Sequence, residues 1–323
     1  MKKSSATEAG LQAIHAIRQA PEKYDLKGEL ASFFRHRSNY VIAAAADTAA
    51  KLEVTGLTPE MSEAFLELMR DPYKRDPGCK ALIAIAKALA ATDAPAPQVY
   101  FAGIRHVQKE ASFGPPVDVA AQLRGICAQG LARMIHPDTA LECVRLLVDP
   151  EVAARSGAIR ALGETGKQEA MLLLRFKALA GDADGEVVGE CFAALLRLDP
   201  KHSIEFVAEF LGASDEEVAE RAALALGECR LSAAFPLLRA ALDETARPSM
   251  RRALLFAIAM LRLDEAIEFL LGRVAEEPER SAADSLAALA SYGRDEALRN
   301  RIQETVARRK SPALQAVFDR EFR

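Results

Sequence analysis

The chain has 323 residues, half of them hydrophobic, with no Trp, 6% aromatic residues and a formal net charge of −4. It exceeds one typical compact domain and can bury a large core, and an Ala- and Leu-rich core suits close-packed helices while arguing against a β-rich fold. Residues 1–40 and 294–323 carry seven and eight Lys/Arg against four and five Asp/Glu, or +3 each, which leaves −10 on 41–293; an acidic body lacks the basic footprint of a nucleic-acid binder.

In chain order, Met1-Lys2-Lys3-Ser4-Ser5 leads into polar residues, so no signal-peptide apolar region is expected. Residues 5–20 read as a helix, and 1–27 as an N-terminal cap. Over 28–293 one pattern recurs: an acidic or Pro-containing turn, an apolar residue, often Arg, then small residues ending near Ala-Leu-Gly. Residues 149–163 and 215–227 show it best. The first apolar position falls at Val41, Cys79, Leu123, Ala154, Val188, Val218, Met250 and Ser281, at spacings of 38, 44, 31, 34, 30, 32 and 31 residues. Such a period is the mark of a repeat architecture.

Second amphipathic segments lie between these helices, at 60–70, 139–148, 169–179, 203–211, 233–242 and 265–274. In 139–148, Leu141, Val144 and Val148 fall at i, i+3 and i+7 and predict one buried stripe. Pro59, Pro137 and Pro200 stand at helix starts. The spacing of 44 holds an insertion at 92–118, with a helical stretch at 99–109 and a loop, Ala111-Ser112-Phe113-Gly114-Pro115-Pro116. Insertions in repeat arrays often map to a binding edge, which makes Phe113 a candidate contact. Residues 294–323 read as an Arg-rich C-terminal cap.

The pattern resembles HEAT repeats, in particular the short repeats of phycobilisome-lyase HEAT-like proteins. The resemblance covers about 28–293 and is strongest over 137–263. It implies a right-handed α-α superhelical solenoid of about eight repeats, with the Asp-Pro-x-Val-Arg helix on the concave face. Asp76-Pro77 with Lys80, and Asp149-Pro150 with Arg155, match that signature, and Arg124 and Arg251 match its Arg position. Ile42, Gly189, Ala219 and Ala282 do not, so a ladder of arginines between repeats would be interrupted.

Chemical motifs are sparse. Gly163-Glu164-Thr165-Gly166-Lys167 resembles the end of a phosphate loop, yet Ala161 and Gln168 stand where Gly and Ser/Thr are needed; an inter-helical turn is the better reading. His15, His36, His106, His136 and His202 are scattered, and Cys79, Cys127, Cys143, Cys191 and Cys229 include no Cys-x-x-Cys pair. Core thiols explain the cysteines, and neither a metal nor a cofactor is expected. Asp149, Asp182, Asp215 and Asp264 read as helix caps. Gly163 and Gly227 read as closing matched helices, with Gly10 outside the array.

Arg124, Arg155 and Arg251 admit two readings. In one, each pairs with a turn carboxylate of its own or the adjoining repeat. In the other, they join Arg160 and Arg252 as a stripe in a groove of mixed sign, with Gln129, Glu190 and Glu220 beside it. The leading functional expectation is a non-catalytic, cytoplasmic scaffold that binds a partner protein or peptide along the concave face, with no membrane span and nucleic acid disfavoured. A bilin-lyase-like subunit, which bilin absorbance after co-expression would reveal, and a HEAT-like DNA glycosylase are the alternatives.

Overall fold

The computed structural model describes residues 2–322, with side chains from residue 6 onward. The chain is 76% helical and is an all-α repeat solenoid. Chain order begins with α1 (Lys2–Gln19), α2 (Leu26–Phe33), α3 (Asn39–Lys51), α4 (Thr58–Met69), the single turn α5 (Pro72–Arg75), α6 (Lys80–Ala91) and α7 (Pro97–Ile104). A short antiparallel hairpin follows, β1 (Lys109–Glu110) with β2 (Val117–Asp118), in which Lys109 pairs with Asp118 and Glu110 with Val117. Then come α8 (Ala121–Arg133), α9 (Thr139–Leu146), α10 (Val152–Thr165), α11 (Gln168–Ala180), α12 (Gly185–Leu198), α13 (Pro200–Ala208) and α14 (Glu216–Glu228). The last are α15 (Ala234–Glu244), α16 (Pro248–Met260), α17 (Asp264–Glu276), α18 (Glu279–Leu289), α19 (Glu296–Arg309) and α20 (Pro312–Glu321).

Two compact units divide the chain, Met1–Leu173 and Leu174–Arg323. In the first, α1, α3, α6, α8 and α10 pack on one another as one layer, and α2, α4, α7 and α9 lie beside them. In the second, α12, α14, α16, α18 and α20 form the corresponding layer. The helices on either side of the expected repeats continue this layering, α1 against α3 and α20 against α18.

Local chemistry explains the individual helices. Asp215 accepts from the backbone N–H of Glu217 and Val218, Glu216 and Glu217 oppose the helix dipole, and an Ala-rich run follows. Asp199 caps α13 in the same way. The α12 cap is Asp184, not Asp182, which instead pairs with Lys177 at 2.7 Å. Asp264 occupies the first turn of α17 and makes no side-chain capping bond.

First-layer helices approach at backbone distance. A Cβ on Gly157 of α10 would overlap the Cα of Gly125 on α8, and one on Gly227 of α14 would lie 2.6 Å from the Ala257 carbonyl oxygen of α16. Gly227 therefore serves close approach inside its helix and does not end it. Likewise α10 runs past Gly163, and Gly166 ends it in the left-handed region at φ 65°, which bears out the turn reading of the Gly-Lys segment. Gly10 is part of the stack, since a Cβ there would meet Val41 of α3 at 3.1 Å.

Two further expectations change. The stripe Leu141, Val144 and Val148 faces solvent, at 67%, 44% and 77% exposure, because α9 turns Thr139, Glu142, Cys143 and Leu146 inward. Glu142 forms a bidentate pair there with Arg105. The supposed insertion is also shorter than 92–118: α7 within it packs on α4 and α8 as an ordinary second-layer helix and ends at Ile104. The extra structure is the connection 105–120.

Substituting Ala at two helical glycines tests the close approach. Gly272 of α17 has open space around it, so Gly272→Ala should stabilise by about 0.5–1 kcal/mol. Gly157→Ala should instead destabilise by at least about 1 kcal/mol through overpacking. Thermal unfolding followed by circular dichroism reads both, and a matching gain at both positions would contradict the α8–α10 contact.

Candidate functional site

A line of buried polar groups runs along the N-terminal ends of the first-layer helices in Met1–Leu173. It starts at Asn39 of α3, whose Nδ2 donates to Asp76 Oδ1 at 2.8 Å and to the Pro77 carbonyl at 3.1 Å. Asp76, wholly buried, also accepts from the N–H groups of Ala81 and Leu82 at 3.0 and 2.9 Å, and so caps α6. Gln108 Nε2 donates to the Asp76 carbonyl at 3.0 Å and to Glu110 at 2.6 Å, and Glu110 accepts from Gly78 N–H at 2.8 Å. These bonds clamp the base of the hairpin onto the turn before α6.

Asp118 continues the line by accepting from the N–H groups of Gln108 and Ala120 at 3.1 and 3.0 Å. Arg124 of α8 is 2% exposed. Its Nη1 donates to Asp118 at 2.7 Å and to the His106 carbonyl at 2.9 Å, while Nε and Nη2 grip both oxygens of Asp149 at 2.8 Å. Asp149 accepts in turn from Glu151 N–H at 2.9 Å, and Arg155 donates to the carbonyls of Asp149 and Pro150 at 2.8 and 3.0 Å. Asp76 and Asp149 thus each tie their own helix start and a side chain of the preceding repeat to one turn carboxylate.

Arg124 follows the ladder reading, whereas the bonds of Arg155 described above go to backbone carbonyls of its own turn; both side chains are buried in the stack and so lie off the exposed face. Arg251 is half-buried and turns its Nη2 toward the Thr245 carbonyl, 3.4 Å away. Exposed positions on the first layer include Arg160 of α10 and Arg252 of α16. Gln129 of α8, Glu190 of α12 and Glu220 of α14 are half-buried at the same surfaces. The arginines therefore form no single stripe.

Exposed first-layer charge differs between α6–α10 and α12–α14. In the first, α6, α8 and α10 present Lys80, Lys87, Arg133 and Arg160, with Lys80 4.7 Å from the centre of the Tyr40 ring. Arg133 meets Glu164 at 3.5 Å. In the second, α12 and α14 present Glu186, Glu216, Glu217 and Glu228 against exposed Arg197 and the half-buried Arg221 that meets Glu217 at 3.6 Å, with Glu190 and Glu220 half-buried. Phe113, at the hairpin tip, is fully exposed.

Sequence reasoning missed Asn39, Gln108, Glu110 and Asp118. Only Asp76 carried a signal, through its Asp-Pro pair; Asn39 takes the part of an Arg at a repeat that has Ile42 in the Arg position. The five cysteines are free, and burial pushes the Cys143 and Cys191 thiols up to about 12, which suits small core hydrophobes. Among the described residues, no group of three or more His, Cys, Asp or Glu could hold a metal ion, and no helix is long and apolar enough to cross a membrane.

A model of HEAT repeats matches residues 173–259 and 204–290. The matched segment, 173–290, is thus similar to HEAT repeats. No curated protein matches the chain in sequence. Solved structures similar to it include an engineered protein, at 18% identity over 97% of this chain and 93% of that chain with a TM-score of 0.41. Human deoxyhypusine hydroxylase in complex with glycerol is similar at 18% identity, over 82% of this chain and 96% of that one, with a TM-score of 0.33. The complex of CpcE and CpcF of phycocyanin lyase from Nostoc sp. is similar at 16% identity, over 84% and 95%, with a TM-score of 0.34.

The latch makes stability depend on acid. Burial pushes the Asp118 carboxyl up, but the N–H groups of Gln108 and Ala120 and the Arg124 guanidinium outweigh it and hold the carboxyl below its ordinary range. A depressed folded value contributes stability above the unfolded pKa of about 3.9 and loses it as pH falls through the folded value. Asp118→Asn should therefore be less stable than wild type at pH 7, with the difference shrinking below about pH 4. Arg124→Ala should cost about 3–5 kcal/mol at neutral pH, because two carboxylates are left without their partner. Urea unfolding across a pH series reads both.

Proposed function

We propose that this chain is a non-catalytic protein-binding module whose first-layer helices take a partner polypeptide on their exposed face. The observation that carries the reading is the contrast within one layer. Beneath the surface, glycine contact and the Arg124 latch hold α8 and α10 rigidly. Above it, Lys80, Lys87, Gln129 and Arg160 present charged and hydrogen-bonding groups whose backbone is already in place. Preorganisation of that kind lowers the ordering cost of binding. A stretch of partner rich in carboxylates suits this face of the first unit, and the acidic face of α12 and α14 suits a basic stretch. Five free cysteines fit a reducing compartment, and the cytoplasm is the proposed location.

A second surface has an observation of its own in the exposed Leu141 and Val144 of α9 and Val148 just after it, since contiguous exposed apolar residues often mark interaction sites. The two surfaces are separable by affinity purification from the native host with mass spectrometry. Lys87→Glu with Arg160→Glu should reduce partner recovery at least about tenfold, a change of about 1.4 kcal/mol, with helical content unchanged. Leu141→Ser with Val148→Ser should leave recovery intact. The opposite pattern would move the site to α9. Duplex DNA should show no binding at micromolar protein in about 150 mM salt; retention that falls steeply with salt would favour a nucleic-acid ligand instead.

A further inference from the structure

We propose that the chain forms a two-fold homodimer in which Phe113 of each copy enters the groove between α1 and α3 of the other. Phe113 sits at the tip of the hairpin connection with 117% relative exposure, so it packs against nothing in its own chain. Residues 105–120 join α7 to α8, whereas 147–151 suffice between α9 and α10; the longer path is not needed to close a repeat. Yet its base is held by the buried bonds of Gln108, Glu110 and Asp118. With its base anchored and Ser112 bonded across the tip to the Pro115 carbonyl and Gly114 N–H, the connection has less backbone freedom to lose on insertion of Phe113 into a pocket.

The same unit carries a shallow groove with apolar residues exposed in it. An open groove of about 830 Å³, lined by Glu8, Leu11, Gln12, His15, Ser38 and Tyr40 among others, lies between α1 and the start of α3. Leu11 and Tyr40 stand 39% and 53% exposed there. Knob and groove share one edge, because Asn39, also in the groove wall, bonds the Asp76–Pro77 turn, and Gly78 of that turn bonds Glu110 at the hairpin base. For two complementary patches side by side on one edge, a two-fold axis between them sets each opposite its counterpart on a second copy. Charge agrees, with Lys109 at the hairpin base and Glu8 in the groove. A second copy makes two such contacts at once, where a foreign apolar pocket would take one.

The test is the mass of the full chain by light scattering and sedimentation equilibrium, over concentrations up to about 1 mM, where even a millimolar interaction is substantially formed. Wild type should pass from monomer to dimer and stop there. Phe113→Ala and Leu11→Arg should each weaken association at least about tenfold with unchanged circular dichroism, and Tyr40→Ala replaces Leu11→Arg if that variant loses helix. An equimolar mixture of the knob and groove variants keeps one intact contact and should associate more strongly than either alone. A wild type monomeric throughout, a dimer indifferent to Phe113 or to the groove, or a mass that keeps growing beyond two copies would each overturn the proposal.

Discussion

The contact on which the first unit depends is the meeting of α8 and α10 backbone to backbone at Gly125 and Gly157. Neither helix can bury its apolar stripe alone, and in a repeat stack each supplies the missing wall of the other. At this spacing a side chain at the contact has no room, so the faces are built from Ala and Gly. Close approach also sets Arg124, the residue before Gly125, beside the turn that opens α10. There its planar fork meets Asp149 edge to edge, a geometry only Arg provides. A buried guanidinium is stabilising only with its hydrogen bonds complete, and Asp118 with the His106 carbonyl completes them. The hairpin that supplies Asp118 is thereby locked by the same residue that locks the repeats.

The fold was legible because its periodicity is long and its composition extreme. The first-layer starts at Leu123, Ala154, Val188 and Val218 all fall on the helices expected, and the second-layer segments lie within a few residues of α4, α9, α11, α13, α15 and α17. Rotation of a helix about its axis was harder. In α9, apolar spacing favoured Leu141, Val144 and Val148, but the face turned inward is the one that carries Cys143, Leu146 and the Arg105-paired Glu142. Boundaries inside 92–118 were obscured because Pro95 and Pro97, which look like loop markers, merely open α7. Gly227 looked like a helix terminator since Gly so often is one, whereas its use is to admit Ala257.

The site was half legible. Arginine at a repeated position after an acidic turn suggested both a ladder and a binding stripe, and only burial separates the two. Arg124 and Arg155 lie inside; Arg160 and Arg252 lie outside. Sequence spacing cannot show this, because one turn of helix distinguishes a residue facing the next repeat from one facing solvent. Gln108 and Asp118 carried no signal at all, since their partners come from elements 32 residues back and 6 residues ahead. Phe113 stands exposed in the loop that the sequence marks.

Hydrogen exchange of the full chain, wild type against Arg124→Met, tests most directly whether the latch couples hairpin and repeats. Arg124→Met keeps an unbranched side chain of similar length and removes every bond to Asp118 and Asp149. The account predicts that amides at the starts of α8 and α10 and in the hairpin base speed up together, while those of α14 and α16 keep their wild-type rates. Faster exchange confined to the hairpin, with α8 and α10 unchanged, would contradict it.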